Sequence, residues 1–205
     1  MKIDVLPLGH IASNCYMLTT EKAAVIIDPG FISEKTEDFL EKNSDKERLI
    51  FLTHGHFDHI CGAKSLRDKT GVKIAIPVGD NPALSDTHLS MSDKFHAHQV
   101  PFSADILLED SQTVQVGDLE LKVISTPGHT AGGACYYVDN VLFSGDTLFF
   151  ESVGRTDFEG ADHTTLLNSI NKLLALPDET VVYPGHGGST TIGHERICNP
   201  FLQNL

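Results

Sequence analysis

Short apolar runs bounded by glycine, proline or clustered polar residues dominate the start of the chain. Lys2–Leu8, Asn14–Thr19 and Ala23–Ile27 read as strands, with turn signals at Gly9-His10, Thr20-Glu21-Lys22 and Asp28-Pro29-Gly30. The period then changes. Ser33 is placed to cap a polar helix reaching about Asn43, and Leu49–Thr53 predicts another strand. A helix is predicted from about Asp58 to Lys69, stopped by Gly71, and a strand at Lys73–Ile76, ended by Pro77. Regularity is lost between about Gly79 and Ala104, where Asn81–Asp86 is a short helix candidate. His88, His96, His98, Pro82 and Pro101 lie in this stretch, which reads as a lid or an insertion over one face.

Strands resume at Ile106–Leu108, Gln112–Val116, Leu119–Ser125, Ala134–Val138 and Val141–Ser144, with a hairpin turn around Asp139-Asn140. Leu166, Leu167, Ile170, Leu173 and Leu174 recur at helical spacing. They predict an amphipathic helix at about His163–Leu176, with Asp162 as N-cap and Pro177 as stop. Thr180–Tyr183 reads as the last strand, and Thr191 to about Cys198 as a terminal helix. Strand-rich halves alternating with helices imply an α/β class in which helices cover the outside of packed sheets.

Composition narrows the function classes. At 205 residues and 40% hydrophobic content the chain can bury a sizeable core. The formal net charge is -13, and the basic residues are scattered, as at Lys42, Lys46 and Arg48, so nucleic acid is not an expected partner. Cys15, Cys61, Cys135 and Cys198 show no C-x-x-C spacing, which removes a cysteine zinc site or a thioredoxin-like motif. No apolar run has the length of a signal peptide core or a membrane span, so a cytoplasmic protein with reduced thiols and no membrane partner is expected.

The candidate chemistry lies in Thr53-His54-Gly55-His56-Phe57-Asp58-His59. It crowds His54, His56, Asp58 and His59 directly behind an apolar run, and packing does not call for such density. Imidazole is the commonest neutral metal ligand and a carboxylate supplies a hard oxygen. The arrangement of apolar run, glycine and metal-capable side chain recurs. Leu121–Ile124 leads through Thr126-Pro127-Gly128 to His129, Val141–Phe143 through Ser144-Gly145 to Asp146, and Thr180–Tyr183 through Pro184-Gly185 to His186. Strand ends on a rigid sheet are good places to hold convergent ligands. The set is His54, His56, Asp58, His59, His129, Asp146 and His186, too many for one tetrahedral ion. Two ions about 3.5 Å apart, with Asp146 between them, would use all seven.

These four motifs in this order resemble the metallo-β-lactamase superfamily, over essentially the whole chain. The resemblance implies a four-layer αβ/βα sandwich in a single domain over residues 1–205. Within the superfamily the chain is similar to short bacterial members of the glyoxalase II-like, or hydroxyacylglutathione hydrolase-like, branch. The residues that carry this are Pro127-Gly128-His129-Thr130, Gly154-Arg155-Thr156-Asp157-Phe158, Thr190-Thr191-Ile192-Gly193, Glu195 and Asn199-Pro200-Phe201. Larger glyoxalase II enzymes add a C-terminal helical domain that helps hold glutathione. Little chain follows His186 here, so a thioester or related ester is supported more strongly than a named substrate.

The resemblance implies that His54, His56 and His129 hold one metal, that Asp58, His59 and His186 hold the other, and that Asp146 bridges. The ligand set suits zinc first, with iron or manganese also compatible. A water between two cations loses its proton near neutral pH, and the resulting hydroxide attacks the carbonyl carbon. Asp58 is a ligand and the candidate for orienting the nucleophile or carrying its proton. The leading reading is a dinuclear thioester hydrolase acting on a small molecule. The alternatives are a persulfide dioxygenase holding one iron on His54, His129 and Asp146, a lactonase or β-lactamase of the same fold, and a non-catalytic metal-binding protein.

Other residues admit two readings each. Asp28 is either a partner to a metal-bound histidine or a turn former. Arg155 either binds an anionic end of the substrate or makes a structural ion pair. Cys61 reads as a small core filler. His10, His88, His96, His98, His163 and His194 lack a strand-end setting and are read as non-ligands.

Overall fold

The computed structural model describes residues 1–203. Its first half is a six-stranded sheet in sequence order: β1 (Lys2–Leu8), β2 (Ser13–Thr19), β3 (Ala23–Ile27), β4 (Glu47–Phe51), β5 (Lys73–Pro77) and β6 (Ile106–Leu108). The strands β1 to β3 pair antiparallel, and β3 to β6 run parallel. Three helices accompany this sheet: α1 (Glu34–Lys42), α2 (Phe57–Ile60) and α3 (Ala63–Thr70).

The second half builds another six-stranded sheet from β7 (Thr113–Val116), β8 (Leu119–Ser125), β9 (Ala134–Val138), β10 (Val141–Gly145), β13 (Val181–Pro184) and β14 (Thr190–Thr191). A two-stranded ribbon, β11 (Leu148–Phe149) with β12 (Ser152–Val153), follows β10. Helices α4 (His163–Leu173) and α5 (Ile192–Cys198) belong to this half.

Period-two alternation separates the layers. Leu49 and Phe51 of β4 join Tyr16, Val25, Ile27, Leu121, Val123, Tyr136 and Phe143 in a core between the two sheets. Ile50 and Leu52 point the other way, packing with Ile26, Ile74, Leu40 and Leu66. Leu142 and Val182 pack outward from the second sheet on Leu166, Ile170, Leu173 and Ile192. The result is helices, sheet, sheet, helices, the four-layer sandwich expected. The inner faces meet through aromatic edges, with Phe51 and Tyr136 centroids 4.9 Å apart. Ile170 is fully buried, and its truncation to alanine would cost roughly 2–5 kcal/mol.

Local details follow the chemistry. The Asp162 carboxylate accepts from the Thr165 N–H at 2.7 Å and caps α4 as predicted. Asp139 and Asn140 both take positive φ, 47° and 62°, as a tight hairpin turn requires. The predicted helix from Asp58 to Lys69 is two helices instead, α2 and α3, with a break at Cys61-Gly62. There the Gly62 N–H leaves the helix to donate to Pro29 O at 2.9 Å. The helix candidate at Asn81–Asp86 is a 3-10 segment at Val78–Leu84, tightened around Pro82. The predicted strand Leu49–Thr53 runs instead over Glu47–Phe51, because Thr53 is drawn into the turn by Asp28. Cys15 and Cys135 are buried, Cys61 is half-buried against the outer core and Cys198 is exposed, all as free thiols. Among the described residues no helix is long and apolar enough to cross a membrane.

Candidate metal centre

The forward ends of β3, β4, β5, β8, β10 and β13 gather along one edge of the sandwich. Their connecting loops carry all seven motif residues, and the structure brings all seven together. His54 and His56, on the loop after β4, meet His129, on the loop after β8. His56 Nδ1 lies 3.2 Å from His54 Nε2 and 2.9 Å from His129 Nε2. Asp58, His59 and His186 form a second trio. Asp58 Oδ2 stands 3.2 Å from His59 Nε2 and 3.2 Å from His186 Nε2. Each trio has its donor atoms within 4.8 Å of one another.

Asp146 stands between the trios. Its Oδ2 is 3.5 Å from His129 Nε2 and 3.6 Å from His186 Nε2, and its Oδ1 is 3.4 Å from His59 Nε2. Gly185 is required for this approach, since a Cβ there would sit 2.1 Å from Asp146 Oδ1.

Outer hydrogen bonds fix which imidazole nitrogens face inward. The Thr53 hydroxyl donates to Asp28 Oδ2 at 2.6 Å, which leaves its oxygen to accept from His54 Nδ1–H at 3.0 Å. His59 Nδ1–H donates to Asp28 Oδ2 at 2.9 Å, and His129 Nδ1–H to Arg155 O at 2.8 Å. In all three rings Nε2 is then the nitrogen aimed into the centre and left to ligate. Asp28 is thus the histidine partner as well as a turn residue, with φ of 53°. It also lies close to His54 and His59 in a third metal-capable grouping. Its carboxylate is already taken by the Thr53 N–H, the Thr53 hydroxyl and His59, so its role is support rather than ligation.

The donor set fits cations. His59 Nε2 and Asp146 Oδ1 are buried with no hydrogen-bond partner, facing each other at 3.4 Å. A lone pair opposite a carboxylate oxygen is costly unless a proton or a metal lies between them. Tetrahedral ligation with arms of about 2.0–2.1 Å places donors about 3.3 Å apart, close to the spacings seen here. Burial, reinforced by the neighbouring imidazoles, pushes His54 well below its usual range. Burial with His129 alongside takes His56 down to about 3. Both are neutral and ready to ligate. The second trio is charged. Burial alone would lower His59, but Asp58, Asp146 and Asp28 outweigh it and hold it well above the usual value. His59 and His186 in turn hold the Asp58 carboxyl far below the carboxylate range, against the opposing effect of burial.

The family model for the metallo-β-lactamase superfamily matches residues 8–186. The chain belongs to that superfamily. Its relatives include a hydroxyacylglutathione hydrolase, GloC, of Haemophilus influenzae, 35% identical over 100% of this chain and 99% of the relative. The crystal structure of BLEG-1, a B3 metallo-β-lactamase, superposes with a TM-score of 0.91 at 40% identity, covering 99% of this chain and 100% of that one. TTHA1623 in a di-iron-bound form superposes with a TM-score of 0.87 at 34% identity, over 97% and 100%. The fold is the metallo-β-lactamase fold and the cluster is its His/Asp site for divalent metal, within the glyoxalase II-like part of the superfamily.

In this superfamily member the centre opens into a cavity of about 240 Å³. Its wall is Ile11, Phe57, Met91, Phe95, Phe149 and Phe158 around His56, Asp58, His129, Asp146 and His186. Phe158, which carried no role in the sequence reading beyond its motif, sets its ring 5.7 Å from both His56 and His129. Arg155 reaches the rim, but its guanidinium forks onto Asp157 at 3.0 and 2.8 Å and lies 4.7 Å over Phe158. The irregular 79–104 stretch forms part of the wall. The Gln99 amide donates to Ala83 O and its oxygen accepts from Ser90 and Ser92, while Phe95 stacks on Phe57 at 5.1 Å. His88 is exposed and bonds Asp93 and Glu159, on the wall of a neighbouring cavity that it shares with His56 and Phe158.

Sequence reading missed Asp80. It lies beyond the apolar run Ile74–Ile76, behind Gly79, the same strand, glycine, acid arrangement that marks Asp146. Its carboxylate is buried and accepts from the Gly55 and Gly132 amides at 2.8 and 2.6 Å.

Proposed function

We propose that this chain is a dinuclear metal-dependent hydrolase that cleaves a small thioester or related ester. The observation that carries this is the division of seven donors into two trios sharing Asp146, under an apolar cavity that opens on both. His54, His56 and His129 would hold one divalent ion, Asp58, His59 and His186 the other, with Asp146 between. Zinc is the first choice for this ligand set, and a similar structure holding two irons keeps iron in view. When bound, the ions supply a water acidified toward hydroxide and an electrophile for the carbonyl oxygen.

The remaining work falls to the chain. Asp58 orients the attacking water by accepting its hydrogen bond, since its carboxylate faces the cavity between His59 and His186. Phe149, Phe158, Phe95 and Met91 exclude bulk water and pack on the apolar part of the substrate. No serine or cysteine lines this cavity among the described residues, so attack comes from water and not from a side chain. A thiolate leaving group is a weak base and leaves without a dedicated acid. The hydroxyacylglutathione hydrolase relative supports the thioester. A second reading, β-lactam hydrolysis, is favoured by the likeness to BLEG-1.

A panel of S-lactoylglutathione, simple thioesters, lactones and a chromogenic β-lactam, run with metal analysis, separates the readings. Two metals per chain and fastest turnover of a thioester are expected. Preference for the β-lactam would move the assignment to the second reading. One iron per chain with oxygen uptake on glutathione persulfide would overturn both.

A further inference from the structure

Each trio joins side chains from opposite sheets, so its geometry depends on whatever fixes one sheet's loops against the other's. For the second trio that work is spread over β2. The Ser13 hydroxyl donates to Asp58 O at 2.6 Å. The Asn14 amide donates to Pro184 O and Gly187 O at 3.0 and 2.9 Å, and the Tyr16 hydroxyl to Pro184 O at 2.5 Å. At the first trio, β9 joins the two sheets at the base of the loops, where the Tyr136 hydroxyl donates to Leu52 O at 2.5 Å and the Ala134 N–H to Thr53 O at 2.9 Å, ahead of the ligands. His54 and His56 follow β4 of the first sheet, and His129 follows β8 of the second.

Asp80 spans that gap. Its Oδ2 accepts from the N–H of Gly55, the residue between His54 and His56, at 2.8 Å. Its Oδ1 accepts from the N–H of Gly132, on the loop that carries His129, at 2.6 Å. That loop is closed on itself by the Thr126 N–H donating to Gly133 O at 2.7 Å, so a pull on Gly132 moves His129 with it. The backbones are already in contact, since a Cβ on Gly132 would lie 2.3 Å from the Asp80 nitrogen. A carboxylate that accepts two amide hydrogens is among the stronger hydrogen-bonded arrangements, and a buried one has no water to exchange them for.

We propose that Asp80 is a positioning residue that sets His54 and His56 against His129, and so governs metal binding at the first trio while leaving the second trio to β2. The proposal rests on the dinuclear reading above. Asp80 is not itself a ligand, because both of its oxygens are spent on backbone amides.

The test is a cobalt(II) titration of metal-stripped protein, wild type against Asp80→Asn, followed in the visible spectrum. Asn keeps the shape but replaces one acceptor with a donor. His129→Ala and His186→Ala give the reference spectra of protein lacking one or the other site. Wild type should take up two ions. Asp80→Asn should bind one ion as wild type does and the other about 10–100-fold more weakly, the missing component matching that lost in His129→Ala. Equal weakening of both ions, loss of the His186-type component, or unchanged binding would overturn the proposal. Uptake of a single ion by wild type would instead overturn the dinuclear reading.

Amide hydrogen exchange on unsubstituted, metal-free protein keeps the idea testable even where the variant does not fold. The Gly55 and Gly132 amides should both be protected before any metal is added. Rapid exchange of either would show that no preformed clasp exists and would overturn the proposal.

Discussion

The two trios are built across the same pair of sheets, yet they differ in charge and in anchorage. The first is three imidazoles, two of them held neutral by burial and by each other. The second pairs imidazoles with a carboxylate, and the acids around His59 favour its protonated form against the effect of burial. A cation enters the first trio by filling a space between lone pairs, and enters the second by displacing protons. Anchorage differs as well. At the first trio Asp80 ties the tips of the two loops while Tyr136 and Ala134 of β9 join their bases, whereas Ser13, Asn14, Tyr16 and Asp28 share the load at the second. A single side-chain clasp between loop tips and a set of bonds along one strand should respond differently to single substitutions.

The largest expected effect falls where the halves are joined. Asp146→Ala should reduce turnover to background and lower bound metal at both trios, measured by metal analysis alongside the substrate panel. If it lost metal at one trio only, Asp146 would not lie between them. His54→Ala should also abolish turnover but spare the second ion, which a stoichiometry of one would show. Asn14→Ala comes next. Because Ser13 and Tyr16 remain, its weakening of the second ion should stay near the lower end of the 10–100-fold range for such support residues, by competition with a chelator. A loss as large as that expected for Asp80→Asn would erase the contrast in anchorage. Phe158→Ala touches rings of the first trio from the cavity side, and should raise KM for an apolar acyl substrate about tenfold with little change in bound metal. The smallest effect is far from both. Lys69→Ala breaks an exposed ion pair with Glu37, and should shift stability by no more than about 1 kcal/mol and leave metal binding unchanged, by thermal unfolding and titration.

Much of this was legible along the chain because it is local. The strand, glycine, ligand arrangement at His56, His129, Asp146 and His186 needs only an apolar run to end and a side chain to follow. The period of Leu166, Ile170 and Leu173 marks the buried face of α4, and Asp162 its cap. The misreadings arose where distant chain intervenes. The break at Cys61-Gly62 exists because Gly62 donates to Pro29, and Thr53 leaves its strand because Asp28 takes its N–H. The ribbon of β11 and β12 escaped notice because its strands are two residues each and show no alternation.

The sequence by itself determined the ligand types, the order in which they come and the two-sheet layering, since these follow from side-chain chemistry and from alternation along each strand. Only the tertiary structure decided which nitrogens face inward, that Asp28 serves His59 and Thr53 together, and that Arg155 is engaged by Asp157. It alone placed Asp80 between Gly55 and Gly132, residues 25 and 52 positions away in the chain. Hydrogen bonds to backbone amides leave no mark on the partner's identity, because every residue but proline carries the same N–H. Such a clasp becomes visible only when the fold brings the carboxylate to the amides.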